Sequence, residues 1–122
     1  MPRRSLTVFC TMVALGAVFG AARAGDCTQA GGDDGIAEGR LMQRDDAIIL
    51  RLPEPMCLEG LEGRDNVPAS AEVHVYSLDD KIQEALRGLI GKDVHLRGTF
   101  MGAVTQHHKA PIVMQVTEAD AI

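Results

Sequence analysis

Apolar and polar residues alternate along this chain in short blocks, and the alternation is cleanest in two places. From Glu72 to Tyr76, Val73 and Val75 fall on one face, with Glu72, His74 and Tyr76 opposite. From Lys92 to Met101, Val94, Leu96, Gly98 and Phe100 face away from Asp93, His95, Arg97 and Thr99. A period of two predicts half-buried strands at both. Ala47 to Leu52 is an apolar, β-branched run with Ile48, Leu50 and Leu52 on one side, and Pro53 and Pro55 should end it. Ile36 to Met42 reads as a weaker strand whose internal Gly39 suggests a bulge or tight bend. With a turn at 43–46 these two segments predict a hairpin. Ile112 to Thr117 supplies the last strand.

One stretch has a helical period instead. Ile82, Leu86, Leu89 and Ile90 share a helix face, Gly91 supplies a stop, and Ser77 precedes with a hydroxyl cap and the acids Asp79 and Asp80 at the first turn. Residues 53–71, with three prolines and two glycines, are expected to form a long loop. Residues 25–35 are polar and glycine-rich and are expected to be a flexible arm. The order β-β-β-α-β-β predicts a mainly β domain over 36–122: a small five-stranded OB-like Greek-key barrel with one helix. The alternative with the same elements is a small α+β sheet carrying the helix on one face. Gly39 and Gly98 suit strands that must bend sharply.

The N-terminus changes the picture of where this domain works. Arg3 and Arg4 precede an apolar run from Leu6 to Phe19, and Ala22-Arg23-Ala24 follows, which is the layout of a secretory signal peptide over 1–24 with cleavage after Ala24. The run is shorter than the ~20 residues a membrane-spanning helix needs. An exported protein that is not membrane-embedded after signal removal, and most simply periplasmic, is the expectation. Removing the first 24 of 122 residues leaves 98 and takes away Arg3, Arg4 and Arg23 but no acid, so nine bases face 17 acids at a net charge of −8. Tyr76 and Phe100 are then the only aromatics. Without basic excess or stacking rings, nucleic acid is not an expected partner.

Two cysteines remain in the mature chain, Cys27 and Cys57, and an oxidising compartment predicts a disulfide between them. Closing a loop of this length stabilises a small domain by roughly 3 to 4 kcal/mol on a chain-entropy argument.

The residues from Leu89 to Phe100, reading L-I-G-K-D-V-H-L-R-G-T-F, are followed by A-V-T-Q-H-H over 103–108 and P-I-V over 111–113. Together they resemble an uncharacterised domain found in exported bacterial proteins, the domain of unknown function numbered four-four-three-one. The upstream stretch Leu50 to Cys57 is similar to the strand of that family that ends in cysteine, so the resemblance covers roughly 47–117; Gln106 stands where the pattern has glycine. The resemblance implies this fold and export, and implies no activity.

Candidate chemistry is sparse. His107 and His108 are the adjacent titratable pair, in the connection between the last two strands. Zinc or copper are the candidate ions for them, with His95 or His74 as a third ligand, although neighbours on a regular strand point to opposite faces. Arg97 and Thr105, with His107 and His108, mark a candidate ligand-binding surface. No nucleophile elbow, zinc-protease helix, phosphate loop or paired CxxC is present, so no enzyme is expected and no cofactor is required. The expectation is a non-catalytic exported binding module for a protein or small ligand; the alternative is a metal-binding envelope protein using the His107/His108 loop.

Overall fold

A computed structural model describes residues 27–61, 65–103 and 107–122; the expected signal peptide lies outside the described residues, and so does Thr105. The elements run β1 (Thr28–Gln29), β2 (Gly35–Arg44), β3 (Ala47–Glu59), β4 (Val67–Tyr76), α1 (Asp80–Gly88), β5 (Asp93–Gly102) and β6 (Ile112–Ala121). The chain is thus mainly β with a single helix among the described residues. β2 to β6 correspond to the five expected strands, and β1 is an addition. It lies inside the expected flexible arm, pairing parallel to β3 at Leu58 and Glu59, next to the Cys27–Cys57 disulfide with its Cα atoms 4.7 Å apart.

The sheet order is β1-β3-β2-β5-β6-β4, and a further β3–β4 pairing joins its ends, so β2 to β6 form a ring. All pairs in the ring are antiparallel except β4–β6. Ile48, Leu50, Val73, Val75, Leu96, Phe100, Ile112 and Met114 point inward and form one core. These are the faces that the period-two alternation selects, because a strand that buries one side must place every second residue there.

The ring closes tightly at two glycines. A Cβ on Gly39 would overlap the carbonyl oxygen of Arg51, and one on Gly98 would overlap that of Gln115. Both glycines sit where one strand crosses closely over another's backbone, as the expected sharp bends require. The β5–β6 register also shifts by one between Arg97 and Gly98.

The loop expected over 53–71 is instead largely strand. β3 continues through Pro53 and Pro55 to Glu59, and β4 begins at Val67. Its ladder jumps from Arg51↔Glu72 to Met56↔Ser70, so both prolines fall in an interval that makes no ladder pair. A proline is excluded from a central strand by its missing N–H, and here no N–H is called for. The turn between β2 and β3 shrinks to Asp45 and Asp46, with Asp45 in the left-handed region at φ 55°.

The helix forms on its expected face. Leu86 is fully buried in the core, while Ile82, Leu89 and Ile90 pack against it in part. Its cap is Asp79, whose carboxylate accepts from the amides of Lys81 and Ile82. Ser77, the expected cap, lies two residues upstream and accepts from the Asp79 amide. Gly91, at φ 91°, turns the chain out of the helix, and its amide donates to Leu41 on β2.

Candidate functional site

The expected histidine surface divides into separate places. His74 lies on β4 between Ile49 of β3 and Val113 of β6, on the outside of the ring. Ile49 and Val113 are nonetheless fully buried, and the segment 107–110 comes against His74 between them. The Lys109 amide donates to His74 Nδ1 at 3.1 Å, and the ring of His108 meets that of His74 edge-on with centroids 5.6 Å apart. Ala110 is buried beneath the same segment.

A charged cluster holds the flank of this segment. Arg44 donates to both carboxylate oxygens of Glu72 at 2.7 and 2.8 Å, and to the Lys109 carbonyl at 3.4 Å. Arg51 adds a third bond to Glu72 at 3.1 Å. The hydrogen bond from Arg44, then its charge, holds the Glu72 carboxyl below its ordinary range despite partial burial. His74 is also held below its ordinary value, first by burial and then by the nearby His108 and Lys109, against an opposing pull from Asp46.

His95 and Arg97 lie elsewhere. In the β5–β6 ladder the histidine segment adjoins Gly102↔Ile112, whereas His95 pairs with Asp120 seven residues away. That is roughly 23 Å along a strand rising ~3.3 Å per residue. His95 Nδ1 stands 2.6 Å from Glu38 Oε2 on the neighbouring β2. Among the described residues no three His, Cys, Asp or Glu side chains gather where a metal ion could sit, so the set His107, His108 and His95 is not assembled. The strand that carries His95 holds it too far along the ladder. Arg97 is five residues from Gly102, opposite Glu118, with its Nε 3.8 Å from the Glu118 carboxylate. Thr105 lies outside the described residues.

One concavity beside β2 and β3 is not marked by the alternation of the sequence. The β2–β3 ladder runs from Arg44↔Ala47 only as far as Arg40↔Arg51, and beyond it the two strands part. The gap is a groove of about 590 Å³ lined by Glu38, Arg40, Arg51, Leu52, Pro53 and Ile122. A smaller hollow continues it past Ile36 and Met56 toward Thr28. The signal was present in Pro53 and Pro55, which mark where β3 cannot bond to a neighbour, but the same residues read more simply as a loop.

These features define a small β domain with one helix, one disulfide and a ring of paired strands. Over residues 72–120, from within β4 to near the end of β6, the chain matches the family described as Domain of unknown function (DUF4431). The match excludes the stretch from Leu50 to Cys57, so the resemblance is shown over a shorter span than 47–117. Neither a curated protein nor a protein of solved structure matches the chain.

Proposed function

We propose that this chain is an exported, non-catalytic binding module built on an OB-like barrel, and that its ligand occupies the groove where β2 and β3 part. The layout of residues 1–24 and the disulfide support export, with the periplasm as the simplest destination. The ring order, the parallel β4–β6 pair and the helix between the third and fourth ring strands support the OB-like reading.

The observation that carries the choice of surface is the early end of the β2–β3 ladder at Arg40↔Arg51, which leaves a concave, largely apolar cleft. In OB-folds the ligand face is flanked by the first hairpin loop and the last one. Here the first is a two-residue turn, and the described part of the last lies against His74 on β4. The groove is the surface left for a protein or small ligand, and the acidic balance of the chain disfavours nucleic acid.

A photo-crosslinking amino acid at Pro53 or Leu52, compared with the same group at His107 and at Glu84 on the exposed side of the helix, tests this in the exporting cell. Adducts from the groove positions alone are expected. Adducts only from His107 would move the surface to the histidine segment, and none from any position would remove the reading.

A second reading has one observation in its favour. The edge-on contact of His74 and His108 brings two imidazoles together beside the β4–β6 pair, and zinc or copper would find nitrogen ligands there. Titration of zinc and copper into the wild type, His107→Ala and His108→Ala tests it. Equal affinity in all three removes the metal reading.

A further inference from the structure

Strand β2 has ladder partners on both sides only at Arg40; from Gly35 to Gly39 it is paired with β5 alone. Toward β5 it is paired from Gly35↔Gly98 to Arg40↔Asp93. Toward β3 it is paired from Arg44 to Arg40 and no further. The direction of its backbone groups follows from Leu41, whose amide donates to the Lys92 carbonyl and whose carbonyl accepts from the Gly91 amide, both on the β5 side. Successive residues of a strand direct their N–H and C=O to opposite sides. Arg40, Glu38 and Ile36 therefore direct theirs toward β3.

Extending the register Arg40↔Arg51 would set Glu38 opposite Pro53 and Ile36 opposite Pro55. Neither proline has an N–H to give. β3 leaves the ladder at that point, and the N–H and C=O of Ile36 and Glu38 face the groove without a ladder partner among the described residues. An unpaired strand edge is a template for another strand.

Resting on the groove as the binding surface, we infer that its ligand is an extended polypeptide segment that adds to β2 by pairing with the backbone of Ile36 and Glu38. Four main-chain hydrogen bonds repeat every second residue along such a segment, as in other cases of strand addition. Leu52, Pro53 and Met56 form the apolar wall against which its side chains pack. Ile36, 50% exposed, is the residue on the open side that the incoming strand covers. On the rim Glu38 bonds to His95, while Glu54 has no ion pair among the described residues. A basic side chain beside Glu54 complements that end. The stretch without a partner is short, from Gly35 to Gly39, which suits one added strand rather than the longer edge of a second folded copy.

The probe is a phage-displayed library of cysteine-free linear dodecapeptides, panned on the mature, disulfide-bonded chain. The strongest binder is synthesised with single N-methyl groups along its backbone. Alternate N-methylations should each weaken binding about tenfold, the interleaved ones should change it less than about threefold, and the amides of Ile36 and Glu38 should gain protection from hydrogen exchange. On the protein side Ile36→Pro should weaken binding about tenfold while Ile36→Ala costs less than about threefold. Even tolerance to N-methylation, or no enriched peptide from a folded target, overturns the inference. So does a concentration-dependent dimer that protects the same two amides. Crosslinks from Pro53 to a small molecule, combined with no peptide binding, would leave the groove as the site and remove only the added strand.

Discussion

The Lys109 amide points at Nδ1 of His74 at 3.1 Å, a bond that exists only while that nitrogen carries no proton. Burial and the neighbouring His108 and Lys109 both resist a second proton on the ring, and only Asp46 favours it. The folded value therefore lies below the ordinary 6.5, and the stability tied to neutral His74 is complete above that pH. It is lost as pH falls through the folded value. We expect NMR titration to place His74 below an unfolded reference, with exchange of the Lys109 amide accelerating over the same interval. A His74 value at or above the reference would contradict this.

Glu72 gathers Arg44 and Arg51 at the edge of the ring, and its carboxyl is held below its ordinary 4.5. The sign is that of a paired acid: the contribution is full above about pH 4.5 and disappears as pH drops through the lowered value. Glu72→Gln should lower stability at neutral pH and flatten the acid limb of the stability profile. Parallel profiles for the wild type and the variant, measured by chemical denaturation from pH 3 to 7, would assign the acid sensitivity to other carboxylates.

Gly98→Ala forces a methyl group into the carbonyl of Gln115, which is ladder backbone and cannot rotate aside. The expected loss is about 3 kcal/mol, in the upper part of the range for overpacking. Thermal or urea unfolding measures it, and an unchanged midpoint would show that β5 and β6 separate there without cost.

The Cys27–Cys57 disulfide ties the segment containing β1 to the far end of β3 across 30 residues. Reduction should cost roughly 2 to 4 kcal/mol and release the parallel Thr28↔Leu58 pairing while the ring of β2 to β6 persists. Thiol titration of the purified protein should find Cys27 and Cys57 unreactive until reductant is added. Two reactive thiols, or a midpoint indifferent to reductant, would count against the tether.

Leu86 is the fully buried residue of the helix and enters the core among residues of the strands. Leu86→Ala removes the only helix side chain described as fully buried, at an expected cost of about 3 kcal/mol for the cavity left. A change below 1 kcal/mol in denaturant unfolding would mean that the neighbouring strands collapse into the space.

Much of this architecture is local and was legible in the residues. Val73 and Val75, or Leu96 and Phe100, face inward because every second position of a strand does, whatever lies across from it. The helix face around Leu86 and the pairing of the mature cysteines were legible for similar reasons. Other features depended on contacts between residues distant in sequence. A period of two states which face is buried but not which strand is next, so neither the β3–β4 pairing that completes the ring nor the parallel β4–β6 pair could be read from it. Pro53 and Pro55 read as a loop until the ladder interval that tolerates them was seen. The histidines followed the same rule. Position alone grouped His95 with His107 and His108, whereas the β2–β5 register set His95 against Glu38, and the segment before β6 brought His108 to His74. Sequence determined each strand's inward face through alternation; tertiary structure decided its neighbours, because the hydrogen bonds and close approaches that select them join residues far apart along the chain.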